Sequence, residues 1–369
     1  MELQEKFDQL IHSTEEANVL LAIEMGKGLP ELESYKERYL SIYRACFHKS
    51  LKNIQPKHII RVNQAENVTA RKKNIQLLPP DINLLTQIKR LDLGRNRIES
   101  IPEEIGQLSN LEILNLNQNY LTSLPAEIGK LENLIELKLY NNYLTSIAST
   151  IGQAKSLKEI LLFDNLLTEL PEEIGYLQNL TGINVGQNRL NTVQKGLVNL
   201  LKLEKLGLFG NQLDSLPKAM ERLTNLFYLD LGKNNFTEVP KVLTQLKSLK
   251  ILSFYRNPLI DFKRLDQLTQ LEELNLGGMQ LNTLPDELWE LTNLQYLKLG
   301  NNQLKSLPPD LGRLTKLKKL NLGANQLTIF PKEIQHLQNL ESLRIGNNNF
   351  SQNELAKVKS WLPNCYHIG

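Results

Sequence analysis

The stretch LEILNLNQNYLTSLPAEIGKLENL, residues 111–134, decides the fold. Leu111, Leu114, Leu116, Asn119 and Leu121 fill the frame LxxLxLxxNxL, and Leu134 opens the same frame again 23 residues later. The frame starts at Ile88 and, beyond Leu134, returns at Leu157, Leu180, Leu203, Leu226 and Leu249. One step of 22 leads to Leu271, and steps of 23 resume at Leu294, Leu317 and Leu340. A degraded copy precedes them, with Val68, Ala70 and Ile75 in frame and Lys73 where asparagine would stand. A fixed period of this length marks a chain of stacked units, each of which buries its apolar face against its neighbours.

Within one unit, Leu114 and Leu116 alternate with Ile113, Asn115 and Asn117, which predicts a short strand with leucines on one face. Stacked strands of this kind form a parallel sheet, and a parallel sheet needs its buried face covered. The segment after the strand supplies the cover as a helical or 3₁₀ return. Proline at Ile101-Pro102, Leu124-Pro125, Leu170-Pro171, Leu216-Pro217, Leu284-Pro285 and Leu307-Pro308 fixes φ and cannot donate to a ladder, so it marks the start of that return.

The period, the frame and the form Leu124-Pro125-Ala126-Glu127-Ile128-Gly129 together resemble the leucine-rich repeat family. The repeat type is similar to that of Ras-group and ROCO proteins and of many bacterial intracellular leucine-rich proteins. The resemblance spans residues 65–350. It implies an α/β fold: a curved horseshoe with a parallel sheet on the concave face and short helical or 3₁₀ segments on the convex face. It also implies a reversible protein-interaction role, as in scaffolds and signalling adaptors.

The asparagines of the frame are Asn96, Asn119, Asn142, Asn165, Asn188, Asn211, Asn234, Asn257, Asn302, Asn325 and Asn348. Their amides are expected to satisfy backbone groups of their own and the adjacent unit, a structural duty, because a buried unpaired group costs ~1–3 kcal/mol. The unit after Leu249 departs from the frame. Pro258 follows Asn257, Asp261-Phe262 replaces Leu-Pro, and Met279 takes an asparagine position. Such a unit is expected to alter local curvature or to be tolerated drift.

The ends read differently. In residues 1–64, Leu3, Phe7, Leu10 and Ile11 share one helical face, and Leu32, Tyr35, Tyr39, Ile42, Tyr43 and Phe47 share another. Ser13-Thr14-Glu15-Glu16 reads as a capping box, and Gly26, Gly28 and Pro30 as a helix stop and restart. A helical cap follows, with self-association through residues 1–64 as a further role. Residues 351–369 read as a C-terminal cap: a helix opened by Ser351, stopped at Pro363, then a short strand through Ile368, with Trp361 packing on the last unit.

Composition narrows the function. The 43 basic and 40 acidic residues leave a formal charge of +3, which fits neither a nucleic-acid binder nor an anionic-membrane binder. Cys46 and Cys365 lie at opposite ends of the chain and form no disulfide framework, so a reducing, cytoplasmic setting is expected. Glu2, Glu5, Lys6, Asp8, Glu15 and Glu16 argue against a signal peptide at the start, and nothing reads as a membrane span. His12, His48, His58, His336 and His367 are scattered without metal-ligand spacing, and no phosphate loop or nucleophile elbow is present. No cofactor and no catalysis are expected, and Cys46 between Tyr43 and Phe47 reads as a packed thiol.

Function is expected on the strand positions opposite the leucines. Tyr140, Phe163, Phe209 and Tyr255 share one column with Gly94, Asn117, Gly186, Gly232, Gly277, Gly300, Gly323 and Gly346. Leu161 joins them from the neighbouring column, and Ile113, Tyr228, Ile251 and Tyr296 from the next. Tyr140, Leu161, Phe163, Phe209, Tyr228, Ile251, Tyr255 and Tyr296 are the candidate partner-binding residues, since an apolar patch with aromatic anchors suits a protein or peptide partner. Lys138, Lys205, Arg256, Glu136, Glu159, Asp164 and Asp230 give the strip mixed charge. The competing reading is that the rings pack sideways over neighbouring glycines and cover the sheet.

Overall fold

The computed structural model describes residues 2–47 and 50–368; of the positions named above, His48 and the side chains of Leu32, His367 and Ile368 lie outside that description. The chain forms two compact units, Met1–Ile183 and Asn184–Gly369.

In the N-terminal unit the strands Asn67–Thr69, Arg90–Asp92, Ile113–Asn115, Glu136–Lys138 and Glu159–Leu161 pair in parallel, each residue opposite its counterpart one period on: Leu91 faces Leu114, and Leu114 faces Leu137. The inward leucines of these strands are buried. Each coil returns through a 3₁₀ turn, as at Ala126–Lys130, entered from Pro125 at φ −67° and ψ 150°. The glycine of the return has a steric reason, because a Cβ on Gly152 would stand 2.5 Å from the Glu173 carbonyl oxygen in the next turn.

The asparagines close the coils. Asn119 Nδ2 donates to Leu116 O (3.0 Å) in its own coil and to Leu93 O (3.1 Å) one coil back, while its Oδ1 accepts from Ile98 N (3.0 Å). Asn142 repeats this with Leu139, Leu116 and Leu121. To aim the amide inward, the preceding residue turns left-handed, at φ between 55° and 59° for Arg95, Gln118, Asn141 and Asp164.

A second row of asparagines, absent from the sequence reading, runs along the outer side. Asn110 Nδ2 donates to Thr86 O, Asn133 to Ser109 O and Asn179 to Lys155 O, at 2.8–3.1 Å. These residues stand one position before the first leucine of the frame, in the local string LxNL.

Helices Glu2–Ile11, Glu16–Met25, Pro30–Glu33, Tyr35–Cys46 and Pro56–Asn63 precede the strands. Their buried side chains are apolar apart from one satisfied network: the Tyr39 hydroxyl donates to Asn63 Oδ1 (2.7 Å), and Asn63 Nδ2 donates to Ile11 O and Ser13 O. Helix Tyr35–Cys46 lies on the first 3₁₀ turn, where Arg38 Nε meets Asp81 Oδ1 at 3.0 Å. The capping box expected at Ser13 is not formed. Ser13 Oγ accepts from Glu15 N, and the helix begins only at Glu16 without a side-chain cap, because the hydroxyl is spent on a local turn. A capping box occurs instead at Gln55 and His58, with Pro56 in the first helical turn.

In the C-terminal unit strands from Lys205–Gly207 to His367–Ile368 pair in parallel, with the register step falling to 22 at Ile251↔Glu273. The inner ladder continues at Asn211, Asn234, Asn257, Asn302, Asn325 and Asn348, and Asn188 donates to Val185 O. The irregular coil keeps the ladder: Asn257 still bonds Leu231 O and Phe254 O despite Pro258, and Asn302 Oδ1 accepts from both Met279 N and Leu281 N. Its missing residue comes out of the return, a 3₁₀ turn cut to Leu265–Gln267 after Arg264 at φ 77°. The outer row persists at Asn225, Gln270, Asn293, Asn339 and Asn364. Helix Gln352–Trp361 closes the unit, capped by Ser351 Oγ, with Glu354 accepting from Phe330 N and Phe330 stacked on Phe350 at 4.4 Å. Trp361 is half-buried, with Lys357 Nζ 5.5 Å from its ring.

Candidate interaction face

The strands place Leu161, Tyr228, Ile251 and Tyr296 at outward positions, and Tyr140, Phe163, Phe209 and Tyr255 just beyond strand ends. All eight are half-buried. Tyr140, Leu161 and Phe163 belong to the N-terminal unit, the other five to the C-terminal unit.

In the C-terminal unit the rings both line the face and pack sideways. A Cβ on Gly232 would meet Phe209 Cδ2 at 2.8 Å, and one on Gly278 would meet Tyr255 Cε2 at 3.2 Å, so each ring lies over the glycine of the following coil. The two rings face each other at 6.5 Å with 16° between planes. Cations lie close to the rings of this face: Lys233 Nζ is 5.2 Å from the Phe209 centroid, the Arg256 guanidinium 5.2 Å from that of Tyr255, and Lys319 Nζ 5.4 Å from that of Tyr296. Asn117, in the same column, is fully buried against Gly94 and offers no surface.

Tyr228 and Asp230 occupy one strand. Burial pushes both side chains up from their ordinary pKa values; for Asp230 the Gly232 N–H (2.9 Å), the Ser253 hydroxyl and Lys298 oppose the shift. Asp92, Asn115, Asn184, Asn275 and Asn321 accept in the same way from the backbone two residues on. This column is therefore a turn-closing device as well as a surface.

More exposed aromatics sit elsewhere. Tyr120 (45% exposed) and Tyr143 (50%) follow the ladder asparagines Asn119 and Asn142, and their rings lie 6.0 Å apart on the rim of the N-terminal unit's strands. The sequence signal was a pair of tyrosines exactly one period apart, at a frame position the core does not use.

Among the described residues no cluster of His, Cys, Asp and Glu could hold a metal ion, and no helix is long and apolar enough to cross a membrane. Cys46 is buried, and burial pushes its thiol up to about 12, which keeps it protonated at neutral pH.

The model of the leucine-rich repeat region matches residues 38–165 and 257–360. The chain belongs to the leucine-rich repeat family. This leucine-rich repeat protein is 34% identical to one from Leptospira interrogans, over 83% of its own length and 96% of the other, with a TM-score of 0.59. An internalin from Listeria monocytogenes shares the fold at TM-score 0.72 and 22% identity, covering 91% and 96% of the two chains. The ectodomain of a membrane receptor kinase from Arabidopsis thaliana, solved in complex with Casparian strip integrity factor 2, is 30% identical at TM-score 0.51. There the match covers 76% of this chain and 42% of the receptor. No curated protein matches the chain.

Proposed function

We propose that the strand faces of the units bind a protein or peptide partner, without catalysis: Tyr140, Leu161 and Phe163 in the N-terminal unit, extended at its rim by Tyr120 and Tyr143, and Phe209, Tyr228, Ile251, Tyr255 and Tyr296 in the C-terminal unit. The observation that carries this reading is the state of the eight: half-exposed apolar groups at positions where the buried seam needs nothing apolar. The Arabidopsis receptor ectodomain, solved with a bound partner, supports such use of the fold. Cys46, buried and in no disulfide, fits a reducing, cytoplasmic setting. The test is capture from native cell extract by the full chain and by a Phe163→Ala, Phe209→Ala, Tyr255→Ala variant of matched circular dichroism. Loss of the partner in the variant is expected; equal capture overturns the reading.

Self-association through residues 1–64 is a second reading, favoured by Leu3, Leu20 and Leu21, which stand 51%, 44% and 50% exposed on the first two helices. Serine at all three should lower any concentration-dependent mass seen by light scattering; an unchanged mass sinks this reading.

A further inference from the structure

The strand face of the C-terminal unit is strongly basic. Its outward positions and the turn residues after them carry Lys205, Lys233, Arg256, Lys298, Lys319 and Arg344, against Asp230 and Glu273 alone. In the N-terminal unit Asp92, Glu136, Glu159 and Asp164 offset most of the cations at equivalent positions.

Three of the six cations, Lys298, Lys319 and Arg344, line one cavity of about 400 Å³ with Tyr296, Asn321 and Tyr366. Lys298 is neutralised, its Nζ 2.5 Å from Glu273 Oε1. Lys319 and Arg344 are exposed, and among the described residues neither has a carboxylate partner. Lys319 is held on the Tyr296 ring, and Asn321 pairs in register with Arg344 on the next strand. Strand geometry sets Lys319 and Arg344 roughly 8 Å apart at Cα, one strand over and two residues along. Side chains two residues apart on an extended peptide are spaced by roughly 7 Å. The adjoining column is glycine at Gly300, Gly323 and Gly346; a Cβ on Gly300 would stand 2.9 Å from the Gly323 carbonyl oxygen and 3.2 Å from Asn321 Oδ1. With no Cβ on this column, an extended backbone can approach it closely.

We propose that this cavity anchors an acidic segment of the partner, with two side-chain carboxylates in an acid-x-acid spacing, one on Lys319 and one on Arg344. The inference rests on the strand-face reading and gives its partner a chemistry. Glu273 and Glu341, the latter 3.3 Å from the Tyr366 hydroxyl, flank the cavity and repel a continuous polyanion while leaving room for discrete carboxylates.

The test is fluorescence anisotropy of the full chain with an N-terminally labelled, C-terminally amidated Gly-Tyr-Glu-Gly-Glu-Gly peptide and its Gln-Gly-Gln twin. The acidic peptide should bind, more weakly as salt rises, and the Gln twin should not. A Lys319→Gln, Arg344→Gln variant should lose affinity by about tenfold or more, whereas Lys205→Gln, on the same face outside the cavity, should not. Equal binding of the twins, an unchanged double variant, equal binding of an all-glycine peptide with a free C-terminus, or tighter binding of a heparin tetrasaccharide would each overturn the assignment. The aromatic triple variant is scored separately with the natural partner. If that variant still captures the partner while the charge variant loses the peptide, the strand-face reading has failed and the acidic subsite has not.

Discussion

Inside the coils, ladder asparagines bond equivalent backbone groups in one turn after another; two residues earlier, at the ends of the strands, the chain carries glycine, asparagine, tyrosine or phenylalanine in the same parallel register. The contrast separates two kinds of constraint. Asn142 is fixed because one amide bonds three buried backbone groups: it accepts from Leu121 N and shares the Leu116 and Leu139 carbonyls with Asn119 and Asn165. Phe209 is free to vary because its neighbour needs only a glycine beneath it. A repeat protein can therefore hold its fold on one set of positions and its recognition on another.

The strongest challenge to that separation is Asn142→Ala. It leaves Leu121 N without its partner and Leu116 O and Leu139 O with one asparagine amide each, Asn119 and Asn165; one buried unmet donor at ~1–3 kcal/mol plus two lost bonds at ~0.5–1.5 kcal/mol each should cost roughly 2–5 kcal/mol in urea unfolding. A loss under about 1 kcal/mol would remove the ladder's standing as the main seam. The outer row sharpens the same point. Asn133 makes one exposed bond, to Ser109 O, so Asn133→Ala should cost less than about 1 kcal/mol by the same measurement.

The smallest effect concerns charge. Burial raises the Asp230 carboxyl, so the native state holds its proton more tightly than the unfolded chain does. Its contribution therefore favours the fold as pH falls through the raised pKa and opposes the fold once the group ionises. Asp230→Asn keeps an acceptor for the Gly232 N–H, as Asn184 does for Gly186, and should melt slightly above the parent at pH 7. The gap should narrow on going to pH 5; a gap that widens contradicts the assigned cause.

The repeat length, the buried leucines and the 3₁₀ returns were legible in the sequence because burial recurs at a fixed offset and proline punctuates each return. Other features lacked such a signal or were read past. Left-handed Arg95, Gln118 and Ala324 carry no residue-type mark, since the amide that follows, and not a glycine, dictates the turn. Asn110, Asn133 and Asn179 were visible in LxNL but masked by the stronger inner frame. The capping box fell at Gln55 and His58, residues rarely chosen for that duty, while Ser13, the usual type, closed a turn. Of the candidate face, residue identity and outward placement could be read, but not the lean of Phe209 over Gly232 or the cations on the rings. Those depend on contacts between coils that a single period does not encode.

The most direct test sets two residues of one coil against each other. Asn211 accepts from Leu190 N and shares Leu208 O with Asn234 and Val185 O with Asn188, whereas Phe209 is half-buried over Gly232. Urea unfolding of Asn211→Ala and Phe209→Ala side by side should show a loss of several kcal/mol for the asparagine and about 1 kcal/mol for the phenylalanine. An equal loss, or a larger one for Phe209→Ala, would mean that the strand face carries the fold and is not free to bind.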